Sequence, residues 1–69
     1  MADQDRIVLQ QVLFEFIRMG KVVKVVAIDP KTGTEVSMVG DPHASPATLK
    51  QLAKRKLEYV LTKRLRPES

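Results

Sequence analysis

The only histidine, His43, stands two residues after Asp41 in GDPHAS (40–45), a pairing that could serve as a proton relay or as half of a metal site. Either use needs further groups converging on one point, because a relay must face a substrate and a zinc-type site takes about three or four protein ligands. The chain has no cysteine, which removes thiol nucleophiles and the commonest structural zinc sites. With one tyrosine as well, any general acid or base would have to be His43 or a carboxylate. Asp29 and Glu35 bracket IDPKTGTE (28–35), where hairpin loops use such residues without any chemistry. The three glycines, at 20, 33 and 40, are spaced as turn residues and not as a phosphate-cradling loop. The His43–Asp41 pair is therefore expected to be loop, and the chain is expected to be no enzyme, with no catalytic residue, no metal and no cofactor.

The elements that would position any site are short. VLFEFIRM (12–19) and KVVKVVAI (21–28) are rich in Val, Ile and Phe with Gly20 between them, and TEVSMVG (34–40) follows DPKTG. This order predicts a three-stranded antiparallel meander. Pro30 carries the fixed φ of a first turn corner, and Gly33 can take the positive φ that closes a hairpin loop. A tight turn at Met19-Gly20 would set Phe16 opposite Val23, Phe14 opposite Val25 and Val12 opposite Ala27, with Glu15 against Lys24 on the other face. Closing the second hairpin around Pro30 to Gly33 pairs Ala27 with Val36 and Val25 with Met38, on the same apolar face as the first set.

SPATL (45–49) reads as a helix start, with Ser45 as cap and Pro46 at the first helical position. The helix is expected to run to about Leu65, with Pro67 as its stop. On a helical wheel Leu49, Ala53, Leu57 and Val60 fall within one third of a turn, flanked by Leu52 and Tyr59 on one side and Leu61 on the other. That stripe would cover the apolar face of the sheet. RIVLQQVLFEFIRMG (6–20) also admits a second drawing, a single amphipathic helix capped by Asp5 and ended by Gly20, though its β-branched and aromatic content favours the strand. The division expected is an N-terminal segment, 1–11, partly flexible; one βββα domain of the α+β class, 12–66; and a frayed tail, 67–69.

The formal net charge is +4, and its placement matters more than its size. Residues 50–66 hold seven basic residues and Glu58, while the remainder of the chain is net acidic. A helix devoted to phosphate contact gathers its cations on one exposed side. Here Lys50 and Lys54 fall together, Arg55 and Arg66 lie about a third of a turn further round, and Lys56 and Lys63 sit at the rim of the apolar stripe. Arg64 falls on the core side itself. Lys56, Lys63 and Arg64 are expected to lay their methylenes along the sheet edge. The β-β-β-α order is similar to the C-terminal part of double-stranded RNA-binding domains, whose last helix starts with paired basic residues across a groove. SPATLK offers only Lys50 there, and the N-terminal helix of that family has no secure counterpart. Nucleic-acid binding through Lys50, Lys54, Arg55, Lys56, Lys63 and Arg64 is thus the alternative, ranked below a solvated helix face.

With 69 residues the chain can build one domain, near the lower limit of what a single core sustains. One helix covers one side of a three-stranded sheet. Leu13, Ile17, Val22, Val26, Ile28 and Val39 would then lie on the far side among Glu15, Lys24, Glu35 and Ser37. So apolar a patch implies cover, either from RIVLQQ of the same chain or from another chain. Self-association is favoured, because a second copy adds the burial this chain lacks. The expectation is a non-enzymatic interaction module, homodimeric through the far face or edge of its sheet or engaging a protein partner. No apolar stretch approaches the roughly 20 residues that span a bilayer, and the lack of cysteine fits a cytosolic setting.

FEFIRMGKVVKVVAIDPKTGTEVSMVGDP followed by LAKRKLEYVL resembles a family of small uncharacterised bacterial proteins known as a domain of unknown function. The likeness covers roughly residues 12 to 64, with AIDPKTGTEV and RKLEYVL as its more specific parts. It implies a short bacterial cytosolic domain and carries over no activity, cofactor or site.

Overall fold

The computed structural model describes residues 7–65. In it β1 (Leu13–Met19), β2 (Val22–Ile28) and β3 (Glu35–Gly40) form an antiparallel sheet in the order β1-β2-β3, followed by α1 (Pro46–Leu65). The expected meander with one C-terminal helix against it is what the chain forms. β1 is a strand, so the drawing of 6–20 as one helix is overturned. The tail 67–69, Arg66, the Pro67 stop, the Asp5 cap and residues 1–6 of the N-terminal segment lie outside the described residues.

Glycine geometry sets the first hairpin. Gly20 takes φ 62° and opens a two-residue loop, Gly20-Lys21, so that Met19 faces Val22. Positive φ at the first loop position alone is the mirror-image turn whose twist suits a hairpin. The loop therefore begins one residue later than a Met19-Gly20 turn would, and the register moves by two. Phe16 stands opposite Val25, Phe14 opposite Ala27 and Glu15 opposite Val26, while Lys24 faces Ile17 and not Glu15. A shift of two preserves which face each side chain occupies.

The second hairpin has the expected register, Ala27 with Val36 and Val25 with Met38. Its loop is built by Asp29. The main chain closes with Gly33 N–H donating to the Asp29 carbonyl at 2.8 Å and Asp29 N–H donating to the Thr34 carbonyl at 2.8 Å, Gly33 holding φ 75°. The buried Asp29 carboxylate accepts the Lys31 N–H at 3.1 Å through one oxygen and the Thr32 hydroxyl at 2.8 Å through the other. Desolvating a carboxylate is costly unless its lone pairs are used, and the loop supplies both donors.

Ser45 caps α1. Its Oγ accepts the Thr48 N–H at 3.1 Å, and its carbonyl accepts the first helical bond from Leu49. Leu49, Ala53, Leu57 and Leu61, spaced one turn apart, bury against Val23, Val25 and Ala27. Burying a side chain such as Leu57 contributes about 1.5–3 kcal/mol. Leu52 and Tyr59 stay exposed, so the buried stripe leans toward Leu61. Gly40 is not a turn residue: it ends β3, and a Cβ there would stand 2.6 Å from Leu49 Cδ2.

Residues 7–12 are neither helix nor strand, yet they join the core. Ile7 N–H donates to Thr62 Oγ1 at 3.0 Å and Leu9 N–H donates to Glu58 Oε2 at 2.9 Å. Two residues of extended chain advance about 6.6 Å and four residues of helix about 6 Å, so alternate N–H groups meet successive turns of α1. Ile7, Leu9, Val12 and Phe14 then pack on the core. The described part of RIVLQQ, residues 7–11, thus lies on the helix side of the sheet and not over the far face, because its backbone donors find acceptors on α1.

Candidate interaction surface

In an antiparallel sheet side chains alternate between faces, and α1 with residues 7–12 occupies one face alone. Leu13, Ile17, Val22, Val26, Ile28 and Val39 all fall on the other face by register, with Glu15, Lys24, Glu35 and Ser37 between them. Their exposure differs. Val26, flanked by neighbours on both sides of the central strand, is 7% exposed, and Val22 and Ile28 are half-buried. Leu13, Ile17 and Val39 are open to solvent at 48%, 38% and 63%. Met19 joins them at 52%, because the loop opens at Gly20 and leaves Met19 in the strand opposite Val22.

The helix-facing side also leaves apolar surface open at one margin. α1 lies over β2 and β3. Phe14 packs against the core, but Phe16, two residues on, remains 40% exposed. Nothing in the local pattern signals this, since it depends on where the helix crosses the sheet.

The two outer edges of the sheet also differ. Asp29 N–H bonds to the carbonyl of Thr34, immediately before β3, so the odd residues of β2 face β3 and the even ones face β1. By the same alternation Glu35, Ser37 and Val39 turn their backbone groups outward from β3, and Phe14, Phe16 and Arg18 turn theirs outward from β1. On the β3 edge Lys56 Nζ donates to the Ser37 carbonyl at 2.7 Å. Among the described residues no group bonds to the outward N–H or C=O groups of β1.

The cations of α1 are widely engaged with the chain itself. Besides Lys56, Arg64 Nη1 donates to Thr34 Oγ1 at 2.9 Å, holding the helix end to the second hairpin loop. Lys50 Nζ stands 5.7 Å from the Phe14 ring centre and Lys63 Nζ 5.9 Å from that of Tyr59. Lys54 lies 3.9 Å from Glu58, whose carboxylate is buried because Leu9 and the segment before β1 cover it. Arg55 has no ion-pair or hydrogen-bond partner among the described residues. With Lys50, Lys54 and Phe14 it lines an open groove beside the N-terminal segment.

His43 and Asp41 meet as neighbours in an exposed turn, with Nδ1 3.1 Å from Oδ1. Asp41 Oδ1 also accepts the His43 N–H at 2.8 Å, and these bonds hold the carboxyl below the usual carboxylate range, the backbone bond first. No third group among the described residues converges there. Among the described residues no three of His, Asp and Glu come together in a way that could hold a metal ion, and no helix is long and apolar enough to cross a membrane.

No curated protein and no solved structure matches the chain. A family model does, over residues 9–64, from Leu9, which pins the N-terminal segment to the helix, through Arg64, which pins the helix to the hairpin loop. The span takes in the whole sheet and nearly the whole helix, and the chain belongs to this family, described as "Domain of unknown function (DUF6898)".

Proposed function

We propose that the protein is a non-enzymatic interaction module that forms a homodimer through the far face of its sheet, left open by α1, or through the edge of that sheet. The observation that carries this reading is the exposure of Leu13, Ile17, Met19 and Val39 on one face. Apolar surface gathered in this way is typical of contact with another chain, and a domain of this size gains burial from a second copy. The reading places the module in the bacterial cytosol, supported by the family likeness and the lack of cysteine. Light scattering tests it. The unmodified chain is expected at twice its 7.8 kDa mass, and Leu13→Lys with Ile17→Lys at the single-chain mass with the circular dichroism of the fold retained. A chain that stays single at every concentration, or a double variant of unchanged mass, overturns the proposal.

Nucleic-acid binding is the second reading, and one observation favours it: Lys50, Lys54 and Arg55 line a groove that also holds Phe14. Five of the six cations it needs, all but Arg55, contact groups of the chain itself. Phosphate contact releases counterions, so affinity for a labelled RNA duplex would fall steeply between about 50 and 200 mM salt. Self-association through apolar surface is expected to change little across that range.

A further inference from the structure

We propose that the free edge of β1 pairs antiparallel with β1 of a second copy of this chain, joining two three-stranded sheets into one six-stranded sheet about a two-fold axis at Phe16. This rests on the reading that the chain self-associates, and it says which surface does so.

Exposure on both sides of β1 decides between the edge and the face. Leu13, Ile17 and Met19 are exposed on the far side of the strand and Phe16 on the helix side. A second sheet stacked on the far face would meet the first three and leave Phe16 wet. A strand laid along the edge gives neighbours to both sides at once. β2, with a strand on either side, already shows the effect: Val26 is buried on the same face where Ile17 is open.

The two edges differ in the same sense. An unpaired edge is a template for another strand, and a lysine placed across it is a known block. Lys56 occupies the β3 edge at the Ser37 carbonyl, whereas the outward groups of Phe14, Phe16 and Arg18 are unengaged among the described residues.

Register completes the argument. β1 runs from Leu13 to Met19, so its midpoint is Phe16, one of the residues whose backbone faces outward. Full overlap of two copies is therefore also a hydrogen-bonded register, making about six N–H···O=C bonds in three pairs. It sets Phe16 against Phe16 of the second copy, Phe14 against Arg18, Glu15 against Ile17 and Leu13 against Met19. Aromatic rings meet across the axis, a guanidinium meets an aromatic ring, and no like charges face each other. Centring on Glu15 would oppose two carboxylates and centring on Ile17 would shorten the overlap. A two-fold contact needs this self-complementarity.

Because the chain has no cysteine, Phe16→Cys and Val39→Cys each introduce a lone thiol. Residues directly opposed across a hydrogen-bonded antiparallel pair have Cα atoms about 5.5 Å apart, within disulfide reach. Under a glutathione redox buffer Phe16→Cys is expected to give a covalent dimer and Val39→Cys none. Phe16→Glu and Phe16→Lys, separately, are expected at the single-chain mass in light scattering. An equimolar mixture is expected to recover the dimer mass, since only at a self-paired position do the two charges meet each other. Cross-linking through Val39→Cys and not Phe16→Cys overturns the edge pairing while leaving self-association standing. An unmodified chain that is single at all concentrations removes both. Where the charged variants fail to fold, the cysteine pair decides.

Discussion

β1 and β3 flank the same central strand, and they are held very differently. β3 is fixed from above: Gly40 lets the helix in close, Lys56 bonds to the Ser37 carbonyl, and Arg64 reaches the Thr34 hydroxyl just before the strand. β1 is fixed by its hairpin with β2 and, beyond Phe14, touches little else. Beyond Phe14 its apolar side chains are open on both faces, and among the described residues nothing bonds to its outer backbone. One margin of the sheet has been spent on the fold of the single chain, and the other is offered outward.

The largest effect that tests this contrast compares truncation at Leu57, fully buried beneath the sheet, with truncation at Ile17 on β1. Leu57→Ala removes transfer energy and leaves a cavity, for an expected loss of about 2–5 kcal/mol in urea unfolding. That loss should not vary with chain concentration. Ile17→Ala is expected to cost below about 1 kcal/mol in the single chain, with a further loss visible only where the wild type associates, because stability gained by association follows mass action. Equal, concentration-independent losses at both positions would erase the distinction between the two margins.

A smaller effect sharpens the account of the β3 side. Gly40→Ala places a methyl against Leu49, itself buried in the core, and overpacking of this kind costs about 1–3 kcal/mol. The cost is steric, so trimming the neighbour should relieve it: Gly40→Ala with Leu49→Val is expected to be more stable than the sum of the two single losses. Gly20→Ala on the β1 side also destabilises, through its positive φ, yet with nothing within 4 Å of the new Cβ no second-site change relieves it. A double variant that is merely additive at Gly40 would show that the helix does not press on β3 there.

Much of this was legible in the residues, and the parts that were not share a cause. Pro30 and Gly33 marked the second loop closely enough to set the register of β2 on β3, and Ser45 with Pro46 marked the helix start, because each signal is local. Gly20 marks a turn by its type but not its place in it: it stands first in the loop and not second, which displaces β1 by two residues and moves Glu15 away from Lys24. The burial of Glu58 was hidden. It sits half a turn from Leu49 on the helical wheel, where solvent is the natural expectation, and its cover comes from Leu9, 49 residues earlier. Phe16 was hidden too, since a wheel reports which side of a helix is apolar and not which strands it crosses. Parity along each strand is enough to put the far-face residues on one side, but their unequal exposure depends on which strand is central.

The smallest expected change in stability carries the most information about the edges. Lys56 is exposed, and Lys56→Met keeps most of the stem while removing the donor to the Ser37 carbonyl, an exchange of an exposed bond for water that costs about 0.5–1.5 kcal/mol at most. Its effect on assembly should be larger than its effect on folding. With the ammonium gone, the outward groups of Glu35, Ser37 and Val39 become a second open edge, and a sheet with two open edges can extend at both ends. Lys56→Met is therefore expected to populate species larger than a dimer as concentration rises, whereas the unmodified chain is expected to stop at two. Combined with Phe16→Glu it should fall back to smaller species, since the β1 contact is lost while the β3 edge stays open. If Lys56→Met shows the same mass as the unmodified chain at every concentration, then the lysine is not what closes the β3 margin, and the charged Glu35 beside it becomes the group to remove next.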